Sequence, residues 1–454
     1  MKLIYQIGRL DAQMKTLKFL YEGKEYEKEL SSFALKEHFR SDVKVILIYP
    51  VSLPFNRALV NDKSQLGNDL KNKIRIILED EDRRNGYLEN PRGFFQCHPH
   101  SKPEDDFILI HSMGEYEGVK FESSYDDIVL EILFDMIDRY IKDRFSELYI
   151  DISSGLNIYV SALLEAMRHF AIFDGLQNWS DSSRCKIYKV FSDPILGSSA
   201  NIFQIHQVKT EFKTFFSSPI KKEDINNYKL SKGITEFLFK EDRRDFKNKL
   251  QNYFENFAIH FSAIKNATPL ANFTFEFDDN SSIESFIKGI IEKAKERINE
   301  NWKKSPNLSK EYFLKTLLSL SFYGGIVKTF KDKNLKIAGA CGASLEEIKK
   351  FEEIYKIFGL KLNETILGKE LYNLREGKDR EGKTLIEKAN DEWKLLKDYL
   401  PTESETESFE TRNLFAHAGF EKTITMVRKY NEKLYFTYKF SACSKVKEAL
   451  LDKV

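Results

Sequence analysis

Three things are scarce in this sequence, and each scarcity excludes something. Net charge is almost absent, because 71 Lys and Arg face 70 Asp and Glu over 454 residues. That balance excludes a uniformly basic coat for nucleic acid, although a local patch can hide inside a near-zero sum. Cysteine is sparse: Cys97, Cys185, Cys341 and Cys443 lie far apart with no CxxC pair. A disulfide scaffold is thereby excluded, and the pattern fits reduced thiols in a cytosolic protein. Metal-ligand types crowd together around Cys97, His98 and His100, between Pro91 and a Pro99 that splits the two histidines. Without a second Cys/His pair nearby a structural zinc site is incomplete, so a surface loop with no metal is expected there. Long apolar runs are the third lack. None approaches the roughly 18 residues of a membrane span, and the opening Met1 to Ile7 meets Arg9 and Asp11 too soon for a secretory signal. The chain is expected to be soluble and cytoplasmic, with no membrane partner.

What is present is enough to fill cores: 42% of residues are apolar and 13% aromatic. At roughly 150 residues per domain the length suggests about three domains, or two with one enlarged. The charge divides unevenly. Residues 1–210 hold 27 basic and 32 acidic side chains, whereas residues 211–454 hold 44 and 38. The two halves differ in kind.

The first half alternates strand and helix signals. Lys2 to Ile7, Val43 to Tyr49, Phe107 to His111 and Glu147 to Asp151 are short runs rich in Ile, Val, Leu and aromatics, the pattern of buried strands. Between them, Ile128, Ile132, Met136 and Tyr140 beside Val129, Leu133, Ile137 and Ile141 form one helical stripe. A second helix, from about Leu156 to Phe173, is apolar almost all round. Tyr21 to Tyr26 reads as a hairpin tip around Gly23, and Lys186 to Phe191 and Asn201 to Gln207 as late strands. Strands alternating with helices predict a doubly wound, mostly parallel sheet over residues 1–212. In such a sheet ligands bind beyond the carboxyl ends of the strands. Asp151-Ile-Ser-Ser-Gly-Leu-Asn157 sits at such a place: Gly155 lets a ligand approach, and Ser153, Ser154 and Asn157 offer donors. A plain strand-to-helix turn with a serine cap fits the same segment. Gly8-Arg9 and His111 to Gly114 are expected along the same edge, and Gly8-Arg9-Leu10 lacks a GxGxxG turn, which disfavours a dinucleotide-binding dehydrogenase.

A polar stretch, 213–232, reads as a linker, followed by a helical region over 233–454. Helices are expected at about 243–264, 283–302, 309–330, 344–359, 382–398 and 404–418, the last opening on the acidic stretch Glu403 to Glu410. Aromatics at Phe246, Tyr253, Phe254, Phe257 and Phe261 read as core, and Asn272 to Asp278 as a strand or extended linker. Gly419 is expected as the C′ residue of the last of these helices, which puts His417 in its final turn. Thr423 to Val427 and Lys433 to Tyr438 alternate as a hairpin, with a short helix from Ser444 to Leu451 behind it. From residue 411 onward there are nine basic and four acidic side chains.

Arg412, Asn413 and His417 have the form of an R-polar-x3-H signature. Eight histidines and eighteen arginines produce about one such spacing by chance. The chain carries a second, Arg92 to His98, where Gly93 replaces the polar neighbour and nearby prolines are expected to deny it a helix. Taken alone, the bare pattern is better read as Arg412 in a surface ion pair with His417 as a helix C-cap. The signature resembles that of HEPN ribonucleases, and the Asp151 to Asn157 segment resembles the D-x-T/S-x-G-x-N motif of CARF domains. Here Ser153 and Ser154 stand where that family often has Thr and His. In this order the two segments resemble the CARF–HEPN accessory ribonucleases of type III CRISPR antiviral defence, in the Csx branch.

That resemblance implies α/β plus all-α architecture: an N-terminal Rossmann-like CARF domain and a C-terminal helical HEPN domain with a short β-hairpin. It implies an endoribonuclease that cuts single-stranded RNA without metal or required cofactor, by attack of the RNA's own 2′-OH. Arg412, Asn413 and His417 become its catalytic residues, with Ser153, Ser154, Gly155 and Asn157 as the ligand site for a cyclic oligoadenylate activator such as cyclic tetra-adenylate. Five positions span about 140° on a helix, so the pair splays unless the helix ends there; a homodimer with composite sites relieves this. Two other functions stay open, a catalytically silent HEPN-like module that binds RNA or protein and a CARF-type ligand-controlled nucleic-acid-binding regulator.

Overall fold

A computed structural model of the chain describes residues 1–13, 15–179, 184–193, 202–239, 243–338, 342–379, 381–400 and 409–454. The chain forms two compact units: Met1–Gly175 with Ser183–Lys213 and Ile287–Leu314, and Leu176–Ser182 with Thr214–Phe286 and Lys315–Val454.

The first unit is built on an eight-stranded sheet. Its strands are β1 (Lys2–Ile7), β2 (Leu17–Tyr21), β3 (Lys24–Lys28), β4 (Val43–Pro50), β5 (Asp106–Ile110), β8 (Glu147–Asp151), β9 (Lys186–Ser192) and β10 (Phe203–Thr210), while β6 (Met113–Tyr116) and β7 (Val119–Glu122) form a separate hairpin. The order is β3-β2-β10-β9-β8-β1-β4-β5. From β9 to β5 every pairing is parallel; β10 runs antiparallel to β9, and β2 and β3 make the expected hairpin. Strands buried on both faces read as continuous apolar runs, and Val45 to Tyr49 are at most 1% exposed. The Tyr125–Asp143 helix opens with a capping box between Ser124 and Asp127. The same buried Asp127 carboxylate accepts the Ser305 hydroxyl and the Leu308 amide, each at 2.7 Å, fixing that later stretch to the helix start. Gly8, just past β1, is obligatory by contact: a Cβ there would lie 2.3 Å from the Tyr49 ring, and that ring is stacked on Phe95.

The second unit is helical with a small sheet of its own. Its helices include Lys229–Leu238, Arg244–Lys265, Pro269–Thr274 and Lys361–Glu376. Phe254, Phe257 and Phe261 are fully buried; Phe216 and Phe322 pack ring against ring on Phe257 and Phe261, and Phe358 and Trp179 pack on those two in turn. The sheet orders β11 (Ala343–Ser344), β14 (Lys433–Tyr438), β13 (Thr425–Tyr430) and β12 (Lys394–Leu395), so the expected hairpin is its centre.

Several local expectations are corrected. The 213–232 stretch is partly helical, at Lys222–Ile225 and from Lys229. Asn272 to Asp278 is neither strand nor simple linker, because Pro269–Thr274 is a helix that Pro269 can open without losing a hydrogen bond. The 344–359 helix breaks into Leu345–Lys349 and Phe351–Ile357, and 382–398 yields only Leu385–Lys388, β12 and Leu396–Tyr399. The 404–418 helix is described only as Thr411–Ala416; most of the acidic stretch, 401–408, lies outside the described residues.

Candidate functional site

Two places collect polar groups with chemical potential, one in each unit. In the first, β8 and β1 are parallel neighbours in register Gln6 to Asp151, so the ends of both strands open on one edge. Asp151 is fully buried and serves the turn. Its carboxylate accepts the Ser31 hydroxyl at 2.6 Å and the Ser153 amide at 2.9 Å, while Gln6 Nε2 donates to Ser31 at 3.1 Å. Burial raises the Asp151 pKa, and the Ser153 and Ser31 hydrogen bonds pull against that rise. Ser153 Oγ in turn accepts the Ser192 amide of β9 at 2.9 Å. Braced in this way, Ser153 and Ser154 line a small cleft with Gln6, Arg9, Ser31 and Ser192. Gly155 and Asn157 are exposed beside it, Asn157 as the first residue of the Asn157–Gln177 helix. The cleft encloses about 10 Å³, room for about one water or one phosphate oxygen.

Of the other expected edge segments, Gly8-Arg9 reaches this place and His111 to Gly114 does not. Arg9, expected along this edge, is not among the expected ligand contacts. It lines the cleft with Nε 2.8 Å from the Asp11 carboxylate, and what revealed it is the sheet order, which puts β1 next to β8. His111 is instead a buried partner of Glu131.

The Cys97 loop is not the surface loop expected. Cys97 is exposed near Lys73 Nζ, whereas His98 and His100 are 2% and 3% exposed. Burial pushes their pKa values down to about 3 and about 4. His98 Nδ1 meets the Tyr49 hydroxyl at 3.1 Å. Among the described residues no group of three His, Cys, Asp or Glu side chains is arranged to hold a metal. The second Arg-x5-His spacing lies here too, and Arg92 does start a helix, Arg92–Gln96, despite Pro91. What disqualifies it is burial of His98.

In the second unit, Thr411–Ala416 is a six-residue helix anchored by Leu414, which is 0% exposed. His417 is its cap, and the chain then turns through Ala418 at φ +49° and Gly419 at φ +86°. The Gly419 amide donates to the Leu414 carbonyl at 2.8 Å, which makes Ala418 the C′ residue and Gly419 C″, one place later than expected. Gly419 is needed for contact as well: a Cβ would lie 3.0 Å from the Tyr438 hydroxyl and 3.2 Å from Thr268 Cα. The helix therefore ends between Arg412 and His417, and both side chains are exposed. Asn413 Nδ2 donates to Glu410 at 3.1 Å. His417 Nδ1 lies 3.5 Å from Glu370 Oε1, with His417 49% and Glu370 16% exposed.

Glu370 comes from Lys361–Glu376, a helix absent from the expected set, although Leu367, Leu371 and Leu374 give it an i, i+4, i+7 face. An exposed imidazole beside a carboxylate, with an arginine on the adjoining turn, can move a proton and hold an anion.

Comparison with known families gives two matches. Residues 2–194 match the CARF domain of CRISPR system endoribonuclease Csx1, and residues 360–440 match the HEPN domain of the same family. The first span contains Arg9 and Ser153 to Asn157; the second contains Glu370, Arg412, Asn413, His417 and the β13–β14 hairpin. No curated protein matches the chain. Among the described residues no helix is long and apolar enough to cross a membrane.

Proposed function

From the premise that this chain belongs to the Csx1-type CARF–HEPN proteins, we propose that it is an endoribonuclease of CRISPR defence, cutting single-stranded RNA under control of a cyclic oligoadenylate. The observation that carries the proposal is the exposed His417 at the broken end of its helix, with Glu370 at 3.5 Å and Arg412 one turn back. In the reaction the RNA 2′-oxygen bonds to the adjacent phosphorus and the phosphorus–5′-oxygen bond breaks. The 2′-OH proton goes to a base and the departing 5′-oxygen takes one from an acid, leaving a 2′,3′-cyclic phosphate and a 5′-OH end. The nucleophile lies within the substrate, so protein side chains suffice for proton transfer and charge stabilisation. His417 is assigned the proton transfer, Arg412 the phosphate through its planar fork, and Asn413 the positioning of that pair. A two-fold homodimer would set two such motifs across one cleft and two Ser153-to-Asn157 edges around one ring-shaped activator.

Arg9, Ser153, Ser154 and Asn157 suit phosphate and ribose oxygens in donor type, and the cleft's size admits a ligand edge while leaving bases outside it. Incubation with single-stranded RNA in EDTA, with and without cyclic tetra-adenylate, tests reaction class and activation together. Cleavage in EDTA that rises with activator is expected; no cleavage under either condition refutes the assignment. Arg9→Ala and Asn157→Ala are each expected to raise the activator concentration for half-maximal cleavage about tenfold, the size of one charge-assisted hydrogen bond. Unchanged activation curves in both would remove the ligand site while leaving the nuclease. Glu370→Gln should have a smaller effect. An ion pair with one half-exposed partner contributes about 0.2–1 kcal/mol, so kcat is expected to fall about 1.5-fold to 5-fold in single-turnover assays with KM unchanged.

A further inference from the structure

The four-stranded sheet of the second unit has two unlike faces. Thr425, Val427, Leu434, Phe436 and Tyr438 point inward and are buried, and Phe436 meets Phe420 of the turn after His417 at 5.3 Å. The alternate residues face outward. There Arg428 pairs across the hairpin with Tyr435, and Tyr430 with Lys433. Trp393 precedes β12, whose register of Lys394 with Val427 continues to set Trp393 opposite Arg428. The Arg428 guanidinium lies 4.7 Å from the Trp393 ring centre, 5.6 Å from Tyr430 and 6.0 Å from Tyr435. Tyr430 is 48% exposed. The four strands carry Lys394, Arg428, Lys429 and Lys433 and no carboxylate, although Glu392 and Glu432 in the flanking turns pair with Lys394 and Lys429.

We infer that this outward face is a stacking platform for single-stranded RNA, with bases lying on Tyr430 and Tyr435 and the phosphate chain running past Arg428 and Lys433. The inference rests on the ribonuclease proposed above and adds where the substrate strand is held. Three aromatic rings gather around one guanidinium, with Tyr430 and Tyr435 6.4 Å apart and tilted 63° to each other, so that each can offer a π face to a separate unpaired base. Of the four basic side chains, register puts Arg428 and Lys433 on the outward face, while Lys394 and Lys429 lie on the side of Val427; an outward face with two cations and no strand carboxylate suits a polyanion. The inner face of the same hairpin packs against the turn that follows His417, so the platform and the proposed catalytic residue share one rigid element. Trp393 stiffens it by stacking on Arg428 and filling the space over Gly342.

The test uses the full chain carrying His417→Ala, so that RNA is bound and not consumed, with a fluorescein-labelled single-stranded oligouridylate read by anisotropy. Tyr430→Ala in this background is expected to raise Kd about fivefold to a hundredfold, the range for loss of one stacked base. Tyr430→Phe should stay within about twofold. Tyr430 lies on the outward face and is half exposed, so its truncation leaves the buried inward face of the hairpin in place. Affinity unchanged within about twofold in both Tyr430→Ala and Tyr435→Ala overturns the platform. So does a changed oligomeric mass with RNA binding intact, which would make the face a protein contact. The underlying proposal fails separately: a chain without these substitutions that neither binds nor cuts RNA overturns both, whereas one that cuts RNA and loses no affinity in the alanine variants overturns the platform alone.

Discussion

His417→Ala is expected to lower activated RNA cleavage by about 10²-fold to 10⁴-fold, the contribution of a positioned general acid or base. Arg412→Ala should cost about 10²-fold to 10³-fold, as removal of a group aimed at developing charge does. Arg412→Lys is expected to recover only part of this, because an ammonium keeps the charge and loses the planar fork. The fold is not at stake in these variants. Arg412 and His417 are exposed, and the helix between them is held by Leu414 and by the Gly419 amide on the Leu414 carbonyl. Melting curves should therefore overlay those of the unsubstituted chain, within the ±0.5 kcal/mol usual for surface changes. Single-turnover cleavage of labelled RNA at saturating activator measures the loss. Activity within several-fold of the unsubstituted chain in either alanine variant would show that the motif is a helix end and nothing more.

What could be seen in advance follows the range of the interactions involved. Strands β1, β4 and β8 are legible because a strand covered on both faces must be apolar throughout, and the β13–β14 hairpin because one covered face imposes alternation. The Asp151 to Asn157 turn is legible for the same local reason, being a strand end, small residues and a helix start in seven positions. Hairpin β6–β7 escapes notice because its strands are only four residues each: Val-Lys-Phe-Glu alternates over too few positions to stand out, and Met-Gly-Glu-Tyr does not alternate. Gly8-Arg9 is expected on this edge because it follows a strand, and the sheet order brings Arg9 into the cleft. Glu370 reaches His417 only through tertiary packing, which leaves no spacing to detect. The capping shift by one residue at Ala418 has a plainer cause: a left-handed residue usually signals glycine, and here alanine takes the first of two such positions.

Replacing Glu131 should produce the largest loss of stability in the first unit. His111, at the end of β5, is fully buried, and its ring meets acceptors on both nitrogens: Nδ1 lies 2.6 Å from Glu131 Oε1 and Nε2 2.9 Å from the Asn301 carbonyl. The His111 amide also donates to Glu131 Oε2 at 2.8 Å, and Trp302 stacks on the ring at 4.8 Å. With Glu131 ionised neither partner donates, and both ring nitrogens then carry hydrogens, which describes an imidazolium. Burial pulls the His111 pKa down, but the Glu131 carboxylate and the Asn301 carbonyl outweigh it and leave the pKa raised. A raised folded value means that the stabilisation is complete below the unfolded value of about 6.5 and is lost as pH climbs through the folded one. Glu131→Gln leaves the ring buried without its counter-ion, a change that costs about 3–5 kcal/mol in comparable pairs. It should also reverse the slope. With the carboxylate gone burial prevails and holds His111 neutral, so the variant loses stability as pH falls below about 6.5. Thermal unfolding of the first unit at several pH values between 5 and 9 would show both effects, and hydrogen exchange at Asn301 and Trp302 should quicken in the variant as their anchor loosens. Equal melting temperatures for the two proteins across that range would mean that His111 is neutral and that the pair contributes no net charge interaction.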